Sequence, residues 1–258
     1  MNTPRATELN FFIIGAAKAG TTSLSSLLGT HPEIGIPQSK EIHFFSFDHV
    51  YSLGWEHYTR LFEHFSDRSA IGDASTSYSR IRYHPSTVER IYRQIPDAKI
   101  IYMVRNPLQR IESAYIEHLC TPESPVFPSV NEAVAALPMI VDSSRYWEVY
   151  DAYRQRFDEG KIQVVWFEVY LVNKVAVLRD LYQFLNVSNG AVPNLKMEDT
   201  DSRKAAPWRM ALLGRGNVPI DTRWNEATKQ AVLEQIRDDN FRFLSHFGKP
   251  TDYWDNMY

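Results

Sequence analysis

The chain runs to 258 residues, 44% hydrophobic and 13% aromatic, with a formal net charge of −3. That composition supplies a substantial core and excludes a disordered chain. The slightly acidic balance excludes bulk nucleic-acid binding and leaves room only for a local basic pocket. A single cysteine, Cys120, excludes an internal disulfide framework and a cysteine-rich zinc site.

The opening MNTPRATELN is polar, and the apolar run Phe11–Ile14 that follows is too short for a signal-peptide core or a membrane span. A soluble, cytoplasmic protein without stable membrane insertion is therefore expected. That run ends at Gly15 and reads as a buried parallel strand. Leu24, Leu27 and Leu28 then recur at helical spacing, and Gly29-Thr30-His31-Pro32 stops the helix. Helices are expected near 54–63 and 85–94, with a weaker strand at Ala70–Gly72 between them. The clearest later strand is Lys99–Val104. After Arg105, Asn106 caps a helix that begins at Pro107, a favoured arrangement. Its apolar stripe is Leu108, Ile111, Tyr115 and Leu119, and Asn106, Arg110, Ser113 and Glu117 share the other face. Pro122, Pro125 and Pro128 mark a loop. A helix over 143–159, a strand over Ile162–Phe167, a helix over 170–186, an aperiodic polar segment over 188–208 and a helix over 225–241 complete the chain. Strands alternating with helices predict an α/β fold, a P-loop-like central parallel sheet flanked by helices, in a single domain spanning 1–258.

The loop Gly15-Ala16-Ala17-Lys18-Ala19-Gly20-Thr21-Thr22 carries the chemistry. A strand feeding a glycine-rich turn and then a helix aims several backbone N–H groups and the helix dipole at an anion. An ordinary strand–turn–helix packed with small residues would show the same glycines. A triphosphate loop places Lys directly after its second glycine, followed by Ser or Thr. Here Lys18 lies within the loop, where it can reach an oxygen bridging a bound phosphate and the group being transferred. A kinase would also want an acidic residue after a second strand, and Asp73 is the candidate.

Three further segments, KEIHFFSF (Lys40–Phe47), RNPLQRIESAY (Arg105–Tyr115) and SRKAAPW (Ser202–Trp208), follow the loop in order. Together they resemble the sulfotransferases that use 3′-phosphoadenosine 5′-phosphosulfate (PAPS), nearest the heparan sulfate N- and 3-O-sulfotransferase branch and its bacterial relatives. The resemblance implies the sulfotransferase fold. It further implies that Lys18, Ala19, Gly20, Thr21, Thr22 and Ser23 bind the 5′-phosphosulfate, with Lys18 on the leaving oxygen. By the same resemblance Arg105 and Ser113 hold the 3′-phosphate, and Arg203 and Lys204 belong to a loop closing over the nucleotide. Glu41 matches the general base, and His43 matches a neighbouring His that positions the acceptor, tunes the Glu or itself acts as base. A Lys of a Glu-Lys-Ser/Thr motif has no counterpart, because the corresponding stretch, Gly72–Tyr78, places Ala74 there. Either Arg80 or Arg82 substitutes for it, or Lys18 acts alone.

The expected function is therefore transfer of a sulfuryl group from PAPS to a hydroxyl or amine of a small-molecule, glycan or lipid acceptor. Adenosine 3′,5′-bisphosphate would be the product, and no metal or nucleic-acid partner is called for. A kinase-like phosphotransferase with an altered loop and a non-catalytic nucleotide-binding module are the competing readings. Aromatics at 45–60 and 121–160 are the expected lining of the acceptor pocket. Nothing in the sequence specifies an oligomeric state.

Overall fold

A computed structural model describes residues 9–38, 41–189 and 202–255, except the side chains of Ser202 and Arg203. In chain order its strands are β1 (Phe11–Gly15), β2 (Ile34–Gly35), β3 (Ala70–Asp73), β4 (Lys99–Val104) and β5 (Ile162–Trp166). The helices are α1 (Thr21–Leu28), α2 (Asp48–Tyr51), α3 (Trp55–Arg60), α4 (Thr87–Gln94), α5 (Pro107–Leu119) and α6 (Val130–Ala136). They continue with α7 (Pro138–Asp142), α8 (Tyr146–Arg154), α9 (Phe167–Val172), α10 (Lys174–Leu185), α11 (Ser202–Leu212) and α12 (Glu226–His246). Two compact units emerge: Met1–Val104 with Val149–Lys196, and Arg105–Glu148 with Met197–Tyr258.

The first unit is built on one parallel sheet in the order β2-β3-β1-β4-β5. β1 is central and buried along its whole length, which explains an unbroken Phe-Phe-Ile-Ile run in place of alternation. Phe11 lies opposite both Gly72 of β3 and Lys99 of β4. Asn10 fixes that register, its side chain donating to the Ser69 carbonyl at 2.9 Å and accepting from the Ile71 N–H at 3.0 Å. The chain leaves β1 for neighbours on one side and later returns to the other. The carboxyl end of β1 is therefore the switch point at which open α/β sheets bind ligands.

The α/β architecture matches the expectation, with local differences. β5 ends at Trp166, and Phe167 opens α9. The single helix expected over 170–186 is two, because the Asn173 side chain accepts from the Ala176 N–H at 3.1 Å and starts α10 afresh. Helix α11 occupies the end of the segment read as aperiodic, with Pro207 inside it.

The second unit is helical. The stripe Leu108, Ile111, Tyr115 and Leu119 of α5 is buried with Val130, Ala133, Met210 and Ile236. The start of α5 follows the sequence reading, since the Asn106 side chain accepts from the Gln109 N–H at 3.2 Å ahead of Pro107. Its polar face is nevertheless buried at Asn106, Arg110 and Ser113. Tertiary partners allow this: Asn106 donates to the Trp254 carbonyl at 2.9 Å, and Arg110 donates to Ser144 Oγ at 2.7 Å and to the Ile140 carbonyl. Among the described residues no helix is long and apolar enough to cross a membrane.

Candidate active site

The loop after β1 is shaped by residues with positive φ, namely Gly15 at 142°, Lys18 at 69° and Gly20 at 98°. Gly20 is required on two counts. Its backbone is left-handed, and a Cβ there would come within 2.7 Å of the Phe167 ring. The Ala16 N–H donates to the Met103 carbonyl at 2.6 Å and ties the loop to β4. The N-cap of α1 is Gly20, which brings no side chain to cap the first turn at the switch point. Lys18 is half-buried, Ala19 and Thr21 are buried, and Thr22 is exposed. Ser23 Oγ shares a 2.7 Å hydrogen bond with the Tyr170 hydroxyl, which fixes the first turn against α9.

The second cluster joins the segment around Glu41 to the 3-10 turn Thr76–Ser79. Thr76 holds the Glu41 carboxylate through its N–H, 2.8 Å from Oε2, and through Oγ1, 3.0 Å from each oxygen. Hydrogen bonds to a charged acceptor are worth about 1.5–3 kcal/mol each, enough to fix one carboxylate orientation. His43 sits beside it, with Nδ1 3.7 Å from Glu41 Oε2 and 2.7 Å from Ser77 Oγ. Its backbone N–H donates to Ser75 Oγ at 3.1 Å. Burial holds the His43 pKa below the usual imidazole value against the opposing pull of Glu41, and the charge of Arg80 pushes the same way as burial. Both Glu41 (φ 63°) and His43 (φ 59°) are left-handed. Five non-glycine residues have positive φ among the described residues, and Lys18, Glu41 and His43 are three of them. Such backbone costs about 1–3 kcal/mol per residue and concentrates where function demands a geometry.

The same turn abuts the loop. A Cβ on Gly15 would strike Ser79 Oγ and lie 3.4 Å from the Thr76 carbonyl. The glycine that starts the Lys18 loop thus has no room for a side chain against the turn that holds Glu41.

Asp73, at the end of β3, serves as the base of this cluster. It accepts from Tyr58 at 2.9 Å, Tyr78 at 2.5 Å and Ser75 Oγ at 2.7 Å. Burial raises its pKa from 3.8 to about 6 against the lowering effect of these hydrogen bonds. The position suits the acidic residue of a kinase, but three hydroxyls crowd the carboxylate, and no group of three or more potential metal ligands occurs among the described residues. Arg80 caps the turn, and its Nε is buried without a hydrogen-bond partner. An unpaired buried donor costs about 1–3 kcal/mol.

The family comparison decides what this arrangement belongs to. A sequence model described as a sulfotransferase domain matches residues 9–206. The chain belongs to the sulfotransferase family. Its Dictyostelium discoideum relative, the membrane-associated sulfotransferase kil1, is 35% identical over 109 residues, 41% of this chain and 22% of that protein. Human heparan sulfate glucosamine 3-O-sulfotransferase 6 is 36% identical over 116 residues, 45% of this chain and 32% of the other. These matches cover less than a third of either relative's length. A sulfotransferase structure from Alicyclobacillus acidocaldarius superposes with a TM-score of 0.75 at 28% identity, covering 96% of this chain and 99% of that one. Mouse sulfotransferase SULT7A1, solved in complex with PAP, shares the fold with a TM-score of 0.55 at 16% identity, covering 94% and 89%.

Within this sulfotransferase-family chain the first unit carries Lys18 in the loop after β1, and it brings Glu41 and His43 together on the Thr76–Ser79 turn. Arg105 directly follows β4, and its carbonyl accepts from the Tyr146 hydroxyl at 2.5 Å. Ser113 is buried on α5, and Lys204 is exposed on α11. Arg203 also falls on α11, but its side chain lies outside the described residues. Sequence reasoning missed Thr76 and Ser77 as holders of Glu41 and His43; the run Ser75-Thr76-Ser77, one residue beyond the end of a strand, was the available signal. Much of the expected aromatic lining is core: Phe45, Tyr58, Tyr146 and Tyr153 are buried, with Phe45 edge-on to Tyr58 at 5.3 Å between ring centres.

Proposed function

We propose that this protein is a PAPS-dependent sulfotransferase, acting as one sulfotransferase domain on a hydroxyl or amine of a small-molecule, glycan or lipid acceptor. The observation that carries the reading is the Glu41 carboxylate, locked by Thr76 in a turn that abuts the first glycine of the Lys18 loop. Glu41 takes the acceptor proton as the acceptor oxygen or nitrogen bonds to sulfur. Lys18 stabilises the charge left on the bridging oxygen as its bond to sulfur breaks, releasing adenosine 3′,5′-bisphosphate. The loop fits the phosphate of the donor, since α1 presents an uncapped N-terminus after Gly20 with Thr21 and Thr22 in its first turn. The 3′-phosphate is assigned to Arg105, whose guanidinium can form a charge-assisted fork to phosphate, together with Ser113. Arg203 and Lys204 are assigned to the nucleotide's outer side. His43, held neutral by burial at pH 7, orients the acceptor beside Glu41.

Calorimetry with adenosine 3′,5′-bisphosphate and with Mg-ATP tests the donor assignment. The expected result is bisphosphate binding that needs no magnesium and weakens about tenfold or more in Arg105→Ala. Preference for Mg-ATP, or an Arg105→Ala variant that binds as the wild type does, overturns it.

A further inference from the structure

Arg80 is the charged side chain of the Glu41 turn that the mechanism above leaves without a role. Its backbone N–H donates to the Ser77 carbonyl at 2.9 Å, closing the 3-10 turn in which Thr76 holds Glu41 and Ser77 holds His43. The carbonyl of Arg80 accepts in turn from the N–H groups of Tyr83 and His84, each at 2.9 Å, so its backbone is fixed on both sides. The side chain is mostly withdrawn from solvent, and its Nε has no hydrogen-bond partner. Glu41 attracts the guanidinium through space, yet Thr76 supplies that carboxylate's hydrogen bonds. Arg82, two residues on, is exposed.

We propose that Arg80 is a second cation of the transfer site, whose guanidinium contacts the sulfuryl oxygens while the group passes from donor to acceptor. The inference rests on the sulfotransferase reading given above. The turn that carries Arg80 touches Gly15 at the head of the donor loop and also holds the base, so Arg80 is anchored where both halves of the reaction meet. Sulfuryl transfer keeps negative charge on three non-bridging oxygens, and a planar fork of N–H donors matches two of them. Arg80 forms and breaks no covalent bond. The sulfur–bridging oxygen bond breaks as the acceptor–sulfur bond forms, and the acceptor proton goes to Glu41. An unpaired buried Nε–H in the protein by itself is the expected state of a donor whose partner arrives with the substrate.

The two nucleotides separate this role from a structural one, because they differ in the sulfuryl group. Affinities for PAPS and for adenosine 3′,5′-bisphosphate are measured by calorimetry in wild type, Arg80→Ala, Arg80→Gln, Arg80→Lys and Arg82→Ala, with circular dichroism on each. PAPS conversion to the bisphosphate is followed without added acceptor. Expected are an unchanged bisphosphate affinity and a PAPS affinity about tenfold weaker in Arg80→Ala and Arg80→Gln. Donor turnover falls about 10²-fold in both, and Arg80→Lys recovers part of it. Arg82→Ala leaves both affinities unchanged. Equal loss of both nucleotides, no loss of PAPS affinity, or a PAPS-selective loss in Arg82→Ala instead overturns the role of Arg80. If Arg80→Ala does not fold, the same affinities in Arg80→Gln and Arg80→Lys decide between these outcomes. Wild-type protein that binds neither nucleotide overturns the donor assignment itself, and the role of Arg80 with it.

Discussion

Glu41 and Asp73 are two carboxylates of one cluster, close enough that the charge of Glu41 helps raise the Asp73 pKa, yet they are built for opposite ends. Asp73 is fully buried and takes three hydroxyl donors, from Tyr58, Tyr78 and Ser75. Glu41 is half-buried, on left-handed backbone, and among the described residues its donors come from Thr76. Asp73 can exchange neither proton nor partner without disturbing the core, whereas Glu41 is oriented and still reachable. Number of partners and exposure, more than distance from the loop, distinguish a supporting carboxylate from a reacting one.

The contrast is tested most strongly at Glu41. Glu41→Gln keeps the shape and removes the proposed base, so donor turnover with an accepted hydroxyl should fall about 10²–10⁴-fold while bisphosphate affinity stays put. A Glu41→Gln variant that turns over normally would move the base elsewhere, with His43 the next residue to replace. At Asp73 the main effect should fall on stability. Asp73→Ala leaves three hydroxyls unpaired in a dry interior, an expected loss of about 3 kcal/mol or more in urea denaturation. A wild-type-like urea midpoint would show that Asp73 is not the keystone of the cluster.

The smallest effect is the pH dependence. The folded-state pKa of Asp73 is raised from 3.8 to about 6, so its contribution is fully present below about pH 4 and is lost as pH rises through about 6. The loss is on the order of 2–3 kcal/mol. Asp239, in the other unit, accepts from the N–H groups of Trp147 and Glu148, is raised by burial to about 6 and acts with the same sign. His43, depressed by burial, acts oppositely and costs stability as pH falls below its unfolded value near 6.5. The difference between wild type and Asp73→Asn isolates Asp73. It should change across pH 4–6 and be flat above about pH 7; a difference independent of pH would remove the titration from the account.

Elements specified by local signals were readable in advance. β1 and β4 announce themselves as apolar runs, and Asn106-Pro107 starts α5 where capping chemistry says it should. The loop and Glu41 were readable because their residue types recur in a known order. Partners distant in sequence were not: Thr76 reaches Glu41 from 35 positions away, and Tyr58 reaches Asp73 from 15. Arg110 and Ser113 fall on the polar side of α5 by periodicity, yet both are buried; for Arg110, a serine hydroxyl and a carbonyl from elsewhere in the unit take the place of water. Asp73 is the candidate acid of the kinase reading because position after a strand is visible in sequence, and a tyrosine cage is not.

The left-handed backbone at Glu41 and His43 also shapes how the pair can mutate over time. β-Branched residues are strained at such φ values, whereas Asn, Asp and Gly adopt them readily. Drift at these two positions is therefore steered toward Asn, Asp and Gly, and of these Asn and Gly keep the turn while removing the proton acceptor that the proposed reaction needs. A lineage leaving catalysis by that route would retain the phosphate loop and become a nucleotide-responsive binding protein, an outcome written into the backbone rather than into the chemistry it supports.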